Sequence, residues 1–136
     1  MAAPSIPGLA YVQGFLGGPE QASLLAEVDR LPWLDDLKRR VQHHGWRYDY
    51  KRRLVTQDLY LGPLPGFLAA LAARLVGPGR FGATPDQVIV NEYLPGQGIS
   101  AHTDCVPCFG PVIASLTLGS GCRMAFDEGP GTSSEE

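Results

Sequence analysis

"QVIVNEYLPGQGISAHTD", from Gln87 to Asp104, is the stretch on which the reading of the fold turns. "QVIVNEYL" is rich in β-branched residues and reads as a strand. "PGQG" is a turn, with two glycines for unusual backbone angles. "ISAHTD" is extended again. Residues two apart on a strand share a side. Asn91 and Tyr93 therefore face one way and Glu92 the other, and beyond the turn His102 and Asp104 converge on one point. An imidazole and a carboxylate so placed suit Fe(II), Mn(II) or Zn(II). Taken alone, His-x-Asp is a weak signal, and a surface histidine beside a turn aspartate explains it better. The amide, phenol and tight turn just upstream shift the balance toward a polar pocket shared by two strands, against an Asn and Tyr satisfying hydrogen bonds in a core.

Outward from this stretch the pattern changes. Upstream, "GGPEQASLLAEVDRLPW" reads as a helix that Gly18-Pro19 begins and Pro32 limits, with Leu24, Leu25, Val28 and Leu31 as its apolar stripe. "PLPGFLAALAARLVG" reads as a second helix, with Leu64, Phe67, Leu68, Leu71 and Leu75 on one face. Between them, "RRVQHHGWRYDYKRRLVTQDLYL" suggests extended structure with a turn at His-Gly-Trp. Downstream, "FGPVIASLTLG" alternates in part and "CRMAF" is a further strand candidate. "DEGPGTSSEE" is acidic, small and without pattern. Helices followed by closely spaced strands predict an α+β fold.

The totals set bounds. The 136 residues are enough for one domain with a core. The net charge of −3 names no partner, but seven of the eleven basic residues fall between Lys38 and Arg53. A polyanion meets that cluster rather than the average. There Arg47, Lys51, Arg52 and Arg53 interleave with Trp46, Tyr48 and Tyr50, and cations with aromatic faces suit phosphates and unpaired bases. The competing reading is a solvated hairpin with its aromatics packed on the core. Nothing resembles a signal peptide or a membrane span. Three cysteines do not make a disulfide scaffold, so a reducing cytoplasm is expected. Cys105-x-x-Cys108, with His102 and Cys122, invites a zinc or redox reading. Zinc typically uses two such pairs, and a thioredoxin-like motif opens a helix. Reduced loop cysteines beside a metal site are the simpler account.

"VNEYLPGQGISAHTD" followed by "FGPVIASLTLGS" closely resembles the AlkB-type Fe(II)- and 2-oxoglutarate-dependent dioxygenases. The resemblance is specific from Gln87 to Phe126 and looser over "GWRYDYK" and "YVQGFL". It lies nearest to the branch with RNA- and tRNA-modifying homologues. It implies N-terminal helices packed on a double-stranded β-helix, or jelly roll. It implies His102 and Asp104 as two of three iron ligands, and Asn91 and Tyr93 as contacts to 2-oxoglutarate. Residues 38–60, with Arg47, Tyr48, Tyr50, Lys51, Arg52 and Arg53, take the place of the substrate-recognition lid. The implied chemistry is O2 activation at iron, decarboxylation of 2-oxoglutarate to succinate, and hydroxylation of a C–H bond. On an N-methylated base, in RNA or DNA, this ends in loss of formaldehyde; some members act on protein instead.

The sequence departs from the family after Phe126. No histidine follows His102 to serve as third ligand, and Arg123, the sole arginine after it, comes too early to pair with 2-oxoglutarate. The expectation is a domain over 1–126 that lacks its last strands, followed by an acidic flexible tail over 127–136. A fragment is favoured over a short homologue that has lost catalysis. The alternatives to a weakly active or inactive dioxygenase are a catalytically dead nucleic-acid-binding module and, less favoured, a cysteine-based zinc or redox protein. Missing strands expose a sheet edge, which predicts self-association; a monodisperse monomer in solution would count against it.

Overall fold

The computed structural model describes residues 9–35, 37–49, 55–77, 81–99, 112–120, 124–129 and 132–135. The fold is α+β. Helix α1 spans Gly18–Asp29 and α2 Gly66–Ala73, with a single 3-10 turn at Gln57–Leu59 between them. Strands β1 (Arg40–His44) and β2 (Val88–Glu92) form one antiparallel ribbon. Strands β3 (Ala125–Gly129) and β4 (Thr132–Glu135) form another. Among the described residues no helix is long and apolar enough to cross a membrane.

Helix α1 starts where Gly18-Pro19 predicts. Its open N-terminus is partly closed by Glu20, whose Oε1 accepts from the Gly17 backbone N–H at 3.3 Å. Its stripe is narrower than the sequence suggests. Val28 is buried, Leu24 and Leu31 are half-buried, and Leu25 is exposed. Helix α2 buries Leu68 and Ala72. Arg74, at its C-terminal end, pairs with Glu20 of α1 at 2.9 Å, donates to the Phe15 carbonyl at 3.1 Å and stacks on the Phe15 ring. One arginine thus ties the end of α2 to the start of α1.

The ribbon meets α1 through Gln42, which is fully buried. Its Nε2 donates to the carbonyls of Val28 at 2.9 Å and Leu31 at 3.4 Å. The first lies in the last turn of α1 and the second just beyond it, so the amide ties the ribbon to the end of that helix. The amide orientation is fixed by those bonds, so Gln42 Oε1 faces His44 Nε2 at 2.8 Å. A carbonyl oxygen only accepts, so that nitrogen carries its proton. Val41, Tyr48, Leu16, Val28, Leu68 and Ala72 complete the apolar core.

After β1 the chain turns at Gly45, whose φ is +80°. Trp46 then pairs with Tyr60, and the backbone bonds Arg47 N–H to Leu59 O and Leu61 N–H to Gly45 O close the loop. The extended structure and turn expected here are present.

Two expectations fail. Residues 112–118 form neither helix nor strand, and Val112, Ile113 and Leu116 are exposed. Alternation suits a strand but does not supply the neighbour that makes one. The end of the chain, read as patternless from residue 127, instead pairs: β3 runs across that point and β4 returns along it. A ladder is made by backbone groups, which small polar side chains do not forbid. Among the described residues, pairing outside these two ribbons is limited to isolated bridges, Leu34 with Val41, Trp46 with Tyr60 and Val76 with Phe81.

Candidate functional site

Strand β2 delivers the upstream half of the site. Its register sets Asn91 opposite Val41 and Glu92 opposite Arg40. Alternation then sorts the polar residues by face. Arg39 Nε donates to Asn91 Oδ1 at 2.8 Å, and its guanidinium carbon lies 5.9 Å from the centre of the Tyr93 ring. Asn91 and Tyr93 thus meet one cation on one side, as their spacing predicts. Both are exposed to solvent.

Glu92 is held on the other side by Arg40 in a bidentate pair, at 2.8 and 2.7 Å. That bond raises the Arg40 pKa and lowers that of Glu92. Arg40 also stacks over Trp33 at 4.6 Å. Two cations of the basic cluster are therefore spent on β2 and its surroundings.

The turn after β2 follows its sequence closely. Gln97 N–H donates to Leu94 O at 2.9 Å. Pro95 holds the second position and Gly96, at φ +86°, the third, the arrangement that favours proline followed by glycine. Gly98 does not share that left-handed conformation, so one glycine does the work expected of two. Gln97 locks the turn, accepting from Leu94 N–H at 2.8 Å and donating to Lys38 O at 3.2 Å.

His102 and Asp104 lie outside the described residues, as do Tyr50, Lys51, Arg52, Arg53 and all three cysteines. Among the described residues no group of three His, Cys, Asp or Glu could hold a metal. His43 and His44 are engaged locally. His43 Nδ1 accepts from the Tyr48 backbone N–H at 3.3 Å, and His44 bonds Gln42. The iron ligands that the resemblance implies, His102 and Asp104, therefore lie outside the described residues, and no reaction step is drawn through a metal.

The lid candidates divide. Tyr48 is buried at 9% exposure, so its ring packs the core rather than facing a substrate. Arg47 is exposed. Trp46, less prominent in the sequence than the charged residues around it, proves better placed. Its ring lies 4.9 Å from that of Tyr60, and its Nε1 donates to Asp86 at 3.3 Å. Asp86 and Tyr60 carry no motif signal; only the pairing of segments distant in sequence brings them to Trp46.

A polar strand face and a locked proline-glycine turn thus stand just ahead of His-x-Asp in the sequence. The 2OG-Fe(II) oxygenase superfamily matches residues 26–136, and the chain belongs to it, among its AlkB-like members. Similar proteins include the Arabidopsis thaliana "Alkylated DNA repair protein ALKBH8 homolog", 38% identical over 90% of this chain and 37% of the relative. The Macaca fascicularis "tRNA (carboxymethyluridine(34)-5-O)-methyltransferase ALKBH8" is 36% identical, over 93% of this chain and 20% of its own length. The Danio rerio "Probable RNA/DNA demethylase ALKBH6" is 32% identical over 88% of this chain and 50% of the relative. The chain thus spans between a fifth and a half of these proteins. No solved structure matches it.

Proposed function

We propose that this chain is the catalytic-domain portion of an AlkB-like dioxygenase that uses Fe(II), 2-oxoglutarate and O2 to hydroxylate or demethylate nucleic-acid bases. In this reading His102 and Asp104 are metal ligands in a jelly roll, and Asn91 and Tyr93 hold the co-substrate. Arg47, Tyr50, Lys51, Arg52 and Arg53 meet the nucleic acid. One observation carries it: Asn91 and Tyr93 share a face with Arg39, directly ahead of the turn that leads to His102-x-Asp104. That face offers an amide, a phenol and a guanidinium, the donors a dicarboxylate needs. The names of the relatives, which speak of alkylated DNA, tRNA, and RNA or DNA, support a nucleic-acid substrate. The methyltransferase activity in one name belongs to a protein of which this chain covers a fifth.

The test is succinate formation from 2-oxoglutarate with added Fe(II) and air. Activity should fall to background in His102→Ala, and Asn91→Ala should raise the concentration of 2-oxoglutarate required. Turnover that survives His102→Ala sinks the metal assignment. Absence of turnover, together with salt-dependent oligonucleotide binding, favours the second reading, a catalytically dead binding module.

A further inference from the structure

Of the donors on the Asn91–Tyr93 face, the Asn91 amide is the one whose direction another residue sets. An asparagine side chain carries an oxygen on one arm and an NH2 group on the other. The arms are nearly equal in shape, so the neighbours decide which points where. A guanidinium only donates. Arg39 Nε donates to this amide at 2.8 Å, so the arm facing it is Oδ1. The NH2 arm is therefore turned away from Arg39. Asn91 is exposed, and a carboxylate reaching that arm from solvent meets a donor instead of an acceptor that would repel it.

Arg39 is itself held through both of its neighbours in the chain. The Lys38 carbonyl accepts from Gln97 Nε2 at 3.2 Å, in the turn that follows β2. Arg40 donates to both carboxylate oxygens of Glu92, at 2.8 and 2.7 Å. The approach of the Arg39 guanidinium to the Tyr93 ring, at 5.9 Å, is a third constraint. A side chain fastened in this way directs its partner at little further cost in conformational freedom. The ribbon also separates the two arginines by face. Arg39 meets Asn91 and Tyr93, and Arg40 meets Glu92 on the other side. Both brace the same pair of strands. A role confined to bracing would be shared by Arg40, which supplies a control.

We propose that Arg39 is a positioning residue for co-substrate binding, fixing Asn91 with its NH2 arm toward the ligand so that this face takes a carboxylate. It rests on the reading of Asn91 and Tyr93 as contacts to 2-oxoglutarate. Without a donor in place of Arg39, the amide is free to turn over and present its oxygen, which a carboxylate avoids. Arg39 thus acts on the ligand through Asn91.

The experiment is anaerobic calorimetric titration of 2-oxoglutarate into the full chain with Fe(II), which reads binding without turnover. Arg39→Met removes the donor and keeps an unbranched stem; it should weaken binding by about fivefold, the worth of one hydrogen bond. Arg39→Lys keeps a cation that donates and should stay within about twofold of wild type. Asn91→Ala should also weaken binding. Adding Arg39→Met to Asn91→Ala should cost less than about twofold more, because the group that Arg39 directs is gone. A loss of charge alone would persist in that background. Arg40→Met should lower the melting temperature and leave 2-oxoglutarate binding as in wild type. Losses that multiply in the double variant, no loss in Arg39→Met, or an equal loss in Arg40→Met each overturn the positioning role while the co-substrate reading stands. Binding indifferent to Asn91→Ala, or no binding by the wild-type chain, overturns that reading and the positioning role together.

Discussion

Gly45 shows how much a single position carries. Its φ of +80° is one that side-chain-bearing residues avoid, and a Cβ there would overlap the Asp86 backbone carbonyl. The residue lets β1 turn sharply, so that Trp46 can reach Asp86 and Tyr60. Gly45→Ala should lower stability by about 1–3 kcal/mol or more in urea unfolding, and a melting temperature equal to wild type would count against this geometry. His44 makes a second test. Its burial lowers its pKa below the usual histidine value. The unfolded chain therefore binds a proton that the folded chain resists, and stability falls as pH drops from about 6.5 toward the lower folded value. His44→Gln should flatten that part of the stability–pH curve; an unchanged slope would contradict it. Neither residue announces its role in the sequence. His-Gly-Trp signals a turn, but only the folded chain shows that Asp86 closes over the glycine and that Gln42 holds the histidine.

The β1–β2 ribbon is where sequence and structure agree best. Alternation in "VIVNEY" predicts which side chains share a face, and the Arg39 and Arg40 contacts fall on opposite sides as that requires. The pairing itself was not legible: it joins Arg40–His44 to a strand about fifty residues on, and no local signal reports it. The same limit explains the failures. Residues 112–118 have the alternation but no ladder, and β3–β4 has the ladder without a strand-like composition. Helix α1 loses Leu25 to solvent because its stripe is wider than the surface it meets. The Arg40–Glu92 pair tests the register directly. Charge reversal at either residue should lower the melting temperature slightly, since the pair is partly solvated, and the double reversal Arg40→Glu/Glu92→Arg should recover part of the loss. Losses that simply add would mean the two side chains do not meet.

At the scale of the whole molecule, the family was legible from one stretch because its chemistry demands particular residue types at fixed spacing. The Asn-x-Tyr pair, the Pro-Gly-x-Gly turn and His-x-Asp stand in an order that composition alone does not produce. Tyr48 was not legible in the same way. An aromatic among cations reads as a stacking candidate, yet burial turns it into core. Trp46 gained weight for the opposite reason, since long-range packing gives it a carboxylate neighbour and a recess. In the function proposed above, the metal belongs to His102 and Asp104 rather than to the cysteines or the upstream histidines. Anaerobic Fe(II) titration of the full chain by calorimetry addresses it most directly. One site is expected, lost in His102→Ala and in Asp104→Ala and kept in His43→Ala, His44→Ala and Cys105→Ser/Cys108→Ser. Metal uptake that persists without His102 and disappears with the cysteine pair would contradict it.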